Sequence, residues 1–180
     1  MRTTYCEGWF RWEKRPTRIW DESKARAAHE RGRLYAVVLG EIESPESFLE
    51  ITGDFVGVSF LDKHLREYLD YRFQTKEPGR LRMTTAITRE FAAETDELKM
   101  ATVYHFQDDG RVLIREEDRE AGMIAEGEIP VELTQAWANY PAFGNYREVA
   151  WKGRLDAVLA TWDGKSYRTG KDLFSDRDLD

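Results

Sequence analysis

Hydrophobic and polar residues alternate along much of this chain, with the period of two that is typical of half-buried β-strands. In the clearest run, five residues share one face, and two more continue it after a turn: Leu98, Met100, Thr102, Tyr104 and Phe106, then Val112 and Ile114. Asp109-Gly110 lies between the two runs, and Asp-Gly predicts a tight hairpin turn because both residues tolerate positive φ. Residues 106–118 therefore form the crest of a β-hairpin.

The same alternation extends in both directions from this hairpin. Residues 81–91 alternate and are followed by a polar stretch at 92–97, so residues 81–117 predict a three-strand meander. Residues 56–60 and 69–74 also alternate. The stretch 34–42 is apolar on both faces, which is typical of a covered, central strand.

Two short helices are predicted among the strands. In the first, over residues 21–32, Asp21 is the expected N-cap and Gly32 the stop. The second covers 130–140, where Pro130 suits a first turn and the apolar residues have helical spacing. A second meander is expected over 146–169, broken by Lys152-Gly153 and Asp163-Gly164, although the alternative of a helical turn at Leu155–Leu159 stays open.

These elements predict a mainly β (α+β) fold. We expect a strongly curved antiparallel sheet, a barrel or a sandwich, of about 8–10 strands with two short helices, because that many strands must protect their edges. Residues 1–170 are expected to form a single β-rich domain, and residues 171–180 an acidic, flexible C-terminal tail.

Charge and cysteine content narrow the partners and the compartment. The net charge of −7 argues against a nucleic-acid binder, which needs clustered lysine and arginine, and favours a protein partner with a basic surface. Cys6 is the single cysteine, so an intrachain disulfide is impossible, and this suits a reducing cytoplasm. Neither a signal-peptide stretch nor a membrane span is apparent in the sequence.

Motifs for catalysis are missing from the sequence. It contains no nucleophile elbow, no phosphate loop and no dinucleotide-binding glycine pattern. Asp62, His64 and Glu67 are spaced like a small acid/base or metal site, but a solvated turn explains them better. We therefore predict no catalytic residue, no metal and no cofactor, and the sequence leans away from an enzyme.

Aromatic and acidic residues supply the predicted binding surface. Four rings fall within one turn-rich segment, Trp137, Tyr140, Phe143 and Tyr146, and four acids follow the hairpin, Glu116, Glu117, Asp118 and Glu120. Aromatic side chains on a rigid loop make good interface anchors. The alternative, that the rings plug one end of the sheet, is equally compatible with the pattern.

Two functions follow from these predictions. The first is a non-catalytic acidic cytoplasmic binding protein that recognises a basic protein partner, a profile similar in class to immunity proteins that inhibit nuclease toxins. The alternative is a calycin-like small-molecule-binding protein or enzyme, with its ligand inside the curved sheet. Its pocket residues would be His105, Tyr104, Tyr71, Arg82, His64 and Glu67.

Overall fold

The computed structural model describes residues 2–164 and 168–169. They form strands β1 (Thr3–Phe10), β2 (Arg15–Trp20), β3 (Tyr35–Glu41), β4 (Ser44–Ile51), β5 (Phe55–Leu61), β6 (Glu67–Glu77), β7 (Arg80–Phe91), β8 (Leu98–Phe106), β9 (Arg111–Asp118), β10 (Met123–Pro130), β11 (Trp137–Asn139) and β12 (Arg168–Thr169). The helices are α1 (Glu22–Glu30) and α2 (Arg154–Leu159), with a 3₁₀ turn at Leu133–Ala136.

All twelve strands belong to one antiparallel sheet. The order β12-β10-β9-β8-β7-β6-β5-β4-β3-β1-β2 is nearly the order of the chain, so the sheet is largely a long meander. β11 pairs with Arg80–Arg82 at the start of β7, whereas β8 pairs with Thr85–Phe91 of the same strand. Within the described residues the end strands β2 and β12 do not pair with each other, so the sheet is curved but not closed.

Several sequence predictions are confirmed. β7, β8 and β9 are the predicted meander, and Gly110 in the β8–β9 turn has φ +85°. Residues 35–39 of β3 are fully buried, as expected for a covered strand. Helix α1 begins after Asp21, whose side chain accepts a hydrogen bond from the Lys24 amide, and Gly32 follows its end with φ +61°.

The predictions for the segment after β10 are partly wrong. The expected helix over 130–140 is the short 3₁₀ turn followed by β11, and the second meander is replaced over 154–159 by α2. Leu155 and Val158 face the core at helical spacing, so the alternative of a helical turn was the right one. The predicted tail at 171–180 lies outside the described residues.

The main core covers one face of the sheet, which we call the inner face. Strands β3 to β10 contribute alternate side chains to it, among them Leu39, Phe60 and Tyr71. The segment 131–162, which we call the covering segment, lies over this face and fills it. Helix α1 adds Ala25 and Ala28. A smaller core on the opposite, outer face contains Cys6, Trp9, Ala36, Val38, Phe48 and Leu61.

Polar contacts attach the covering segment. Arg154 is 3% exposed and donates to three backbone carbonyls at 2.7 Å each, those of Gln135, Trp137 and Glu148. Tyr71 Oη donates to the Lys152 carbonyl at 2.5 Å and accepts a hydrogen bond from the Leu155 amide at 3.1 Å. These carbonyls and the Leu155 amide thereby have hydrogen-bond partners, whereas the buried Arg154 Nε has none among the described residues. No described helix is both long and apolar enough to cross a membrane.

Candidate functional site

The four predicted aromatic residues lie at one end of the sheet, and three of them, Tyr140, Phe143 and Tyr146, belong to the main core or pack against it. Tyr146 is buried, with Oη 3.3 Å from Tyr35 Oη, and Phe143 stacks on Tyr5 with ring centroids 5.0 Å apart. Tyr140 Oη donates to the Thr52 carbonyl at 2.5 Å. The half-buried ring of Trp137 lies under the guanidinium of Arg80, with the guanidinium carbon 4.6 Å from the ring centroid. Tyr140, Phe143 and Tyr146 therefore close one end of the core, in agreement with the alternative left open by the sequence. Trp137, paired with Arg82, points to the face opposite the core-facing Ala138.

The predicted acids lie towards the other end of the strands. Trp137 pairs with Arg82 near the start of β7, whereas Glu116 aligns through Thr102 with Thr88. Six residues of strand separate these positions on β7, which corresponds to about 20 Å. The aromatic segment and the acids therefore do not form one continuous contact surface.

Strand register divides the acids between the two faces of the sheet. Residues directly opposite on antiparallel strands share a face. One inner-face row runs through Glu90, Met100, Asp118 and Met123. The next inner-face row runs through Thr88, Thr102, Glu116 and Ala125. Glu117 pairs with Ala101 and Ile124 on the outer face, and Glu120 is exposed in the β9–β10 turn.

The three acids of these two inner-face rows form no ion pair with a described residue. They are Glu90, Glu116 and Asp118, and the last accepts only a backbone hydrogen bond, from the Ala121 amide at 2.8 Å. The neighbouring bases are already paired, Lys99 with Glu120 at 3.3 Å and Arg119 with Glu117 at 3.1 Å. We call Glu90, Met100, Glu116, Asp118 and Met123 the acidic patch. Its carboxylates lie within about 12 Å of one another, judged from strand spacing and rise per residue.

The acidic patch lies beside an open edge. Met123 and Ile124 are 62% and 57% exposed on β10. β12 pairs only with Gly127 and Glu128. Among the described residues, positions 123–126 of β10 therefore have a strand neighbour on one side only. Unpaired backbone groups of an edge strand can take up another extended segment.

The six residues of the alternative ligand pocket do not converge on one pocket. His105 is exposed on the outer face, 3.4 Å from Thr85 Oγ1, while Tyr104 is half-buried on the inner face. Burial and the charge of Glu116 raise the pKa of Tyr104. Tyr71 is committed to the covering segment, as described above. Adjacent strand residues point to opposite faces, so Tyr104 and His105 cannot line the same inner site.

Arg82, His64 and Glu67 lie in three further environments. Arg82 is buried and pairs with the exposed Asp108. His64 lies in the β5–β6 loop, its Nε2 3.2 Å from Glu94 Oε2. Glu67 faces a polar cluster on the outer face, described next. Among the described residues no three His, Cys, Asp or Glu side chains converge as a metal site.

The polar cluster around Glu67 is the most buried group of charges on the outer face. Ser59 Oγ lies 3.1 Å from Glu67 Oε2 and also contacts Asp70, which pairs with Arg89. Arg11 bridges Glu67 at 3.1 Å and Glu50 at 2.9 Å. Burial first, and then the charge of Asp70, raise the pKa of Glu67. Sequence spacing drew attention to Glu67 but not to Ser59 or Arg11, which come from β5 and from the β1–β2 turn.

Two adjoining grooves open between the inner face and the covering segment. The first has a volume of about 380 Å³, and the second, of about 470 Å³, follows it across Tyr68 and Lys152, which line both. Lys152 Nζ lies 4.8 Å from the centroid of the Tyr68 ring. Sequence patterns could not identify either groove, because the walls come from strands and from a loop distant in the chain.

Comparison with known proteins adds no relative. No protein-family model matches the chain, and no curated protein or solved structure is significantly similar to it.

Proposed function

We propose that the protein is a non-catalytic binding module that takes up a basic protein segment at the acidic patch. The observation that carries this proposal is the register that aligns three carboxylates without ion pairs beside the exposed Met123. Like charges on neighbouring strands weaken a sheet. A bound segment carrying lysine or arginine would remove that repulsion.

The open part of β10 supports an extended binding mode. Residues 123–126 offer backbone donors and acceptors on the side away from β9. A partner strand pairing there places alternate side chains on the inner face, opposite Met123 and Ala125 and about 10 Å from Asp118 and Glu116, a distance that long lysine and arginine side chains reach across β10. Basic side chains at these positions meet the acids, and apolar ones at the neighbouring positions meet Ile124 on the outer face.

The net charge of −7 supports fast capture of such a partner, because long-range attraction raises the association rate of oppositely charged proteins. An inhibitor of the immunity type, acting on a basic toxin, is one protein class that this profile fits. The single cysteine fits a cytoplasmic location.

A ligand enclosed by the sheet is the less supported alternative. The inner face is filled by its own side chains and by the covering segment, with Tyr71, Phe73 and Met83 fully buried. The two grooves lie at the margin of this packed region rather than inside it.

The proposal is tested with a charge-neutral version of the acidic patch. We expect the triple variant Glu90→Gln, Glu116→Gln, Asp118→Asn to bind a short fluorescein-labelled peptide of alternating lysine and valine roughly tenfold more weakly, measured by fluorescence anisotropy. The matched control is Glu30→Gln, Glu43→Gln, Glu132→Gln, three exposed acids elsewhere that form no ion pair with a described residue. It changes the net charge equally.

The control triple variant distinguishes the loss of a specific binding site from a general effect of net charge on affinity. The proposal expects the control triple to bind within about twofold of the wild type, because distant exposed charges are screened by salt. An equal loss of affinity in both triples, or no loss in either, would contradict the proposal.

A further inference from the structure

The first groove combines an apolar floor with two cations that have no acid partner. Leu39, Phe60 and Leu61, all buried, line it from strands β3 and β5. Arg147 and Lys152 line it from the covering segment, and both are exposed and form no ion pair with a described residue. Unpaired cations are notable in a chain with seven more acids than bases.

Ser47 adds a polar group to the same groove. It lines the groove from β4, directly opposite Leu39 and Phe60, and is 4% exposed. Its hydroxyl makes no hydrogen bond to a described residue. A hydroxyl that lines an open groove and has no described partner is available to a bound molecule.

We infer that this groove binds a small organic monocarboxylate with a hydrocarbon body. The carboxylate lies between Arg147 and Lys152 with Ser47 Oγ as a further donor, and the hydrocarbon covers Leu39 and Phe60. A volume of about 380 Å³ falls in the range of small-molecule sites, which are mostly apolar with a few placed polar groups. Arginine and lysine form the strongest hydrogen bonds to carboxylates.

Substitution of Glu46 distinguishes an effect on ligand binding from a general loss of stability. It lines the groove, is exposed and forms no ion pair with a described residue. Its negative charge opposes an anionic ligand, so its removal must strengthen binding. A variant that was merely destabilised would not bind more tightly.

The test uses decanoate as the probe and decanamide as its uncharged counterpart, with the purified full chain and isothermal titration calorimetry. We expect saturable decanoate binding, and binding of decanamide that is at least roughly tenfold weaker. The double variant Arg147→Gln, Lys152→Gln should weaken decanoate binding roughly tenfold, and Glu46→Gln should strengthen it about threefold.

The matched control is Arg31→Gln, Arg33→Gln, which removes two exposed cations elsewhere that form no ion pair with a described residue. It should leave the decanoate affinity within about twofold. Absence of decanoate binding, equal binding of decanamide, or weaker binding to Glu46→Gln would overturn the inference. The acidic patch plays no part in this test, so its outcome is independent of the proposed function.

Discussion

The hydroxyl of Tyr71 donates a hydrogen bond to the carbonyl of Lys152 at 2.5 Å, across 81 residues of sequence. It also accepts the Leu155 amide, so a single side chain of β6 fixes the start of α2 to the inner face. One wall of both grooves includes Lys152. The position of that wall therefore depends on this contact.

Tyr71→Phe should lower the free energy of unfolding by about 2 kcal/mol, because it leaves a buried amide and a partly buried carbonyl without partners. Denaturant unfolding followed by tryptophan fluorescence measures the loss. Tyr68→Phe is the matched control, since the Tyr68 hydroxyl makes no hydrogen bond to a described residue. Equal stability of both variants would show that the Tyr71 contact contributes nothing.

Arg154→Met should cost more, about 4 kcal/mol, because three partly buried carbonyls lose a charged donor at once. Arg147→Met, on the exposed side of the same segment, should change the stability by less than about 0.5 kcal/mol. The comparison is made by denaturant unfolding. A small effect of Arg154→Met would mean that apolar packing alone holds the covering segment.

The Glu67 cluster predicts a pH dependence of stability. Ser59 Oγ donates to Glu67 at 3.1 Å and also contacts Asp70, and burial together with the charge of Asp70 raises the pKa of Glu67 despite its ion pair with Arg11. The ordinary pKa of Glu67 is 4.5, and the pKa in the fold is higher. Between these two values the folded chain keeps a proton that the unfolded chain releases, so this group makes stability fall as the pH rises.

Glu67→Gln should therefore flatten the fall in stability above pH 4.5 and leave the chain at least as stable as the wild type at neutral pH. The free energy of unfolding measured at several pH values between acidic and neutral conditions tests this. Glu43→Gln, an exposed acid, should keep the wild-type slope. A steeper fall of stability with pH in Glu67→Gln would contradict the raised pKa of Glu67.

Cys6 should be unreactive in the folded protein. It is fully buried, and burial raises the pKa of its thiol to about 11, so little thiolate exists at neutral pH. Iodoacetamide should label it only after unfolding, as followed by mass spectrometry. Rapid labelling of the native chain would show that the outer-face core opens readily.

The sequence predicts the strands better than the sites. Alternation identified β7 to β9 and the Asp-Gly turn because these signals are local. The segment Leu155–Leu159 fits both a strand and a helix, and only its packing against the sheet decides for the helix. Whether Glu116 and Glu117 act together also depends on strand register, which places them on opposite faces.

The groove residues show why sites are harder to predict. Ser47 and Arg147 line the same groove only because the covering segment packs near the start of β4, although the two residues are far apart in sequence. No local pattern marks either residue. The aromatic segment did carry a strong local signal, but the same rings suit an interface and a core, and the structure packs three of the four into or against the core.

Under the proposed function, a basic extended segment binds at the acidic patch, along the open part of β10. Titration of ¹⁵N-labelled protein with the lysine-valine peptide, followed by amide chemical shifts, tests it most directly. The account predicts the largest changes at residues 88–90, 116–118 and 123–126, and little change at 137–146. Shifts spread over acids of the whole surface, or centred on 137–146, would contradict it.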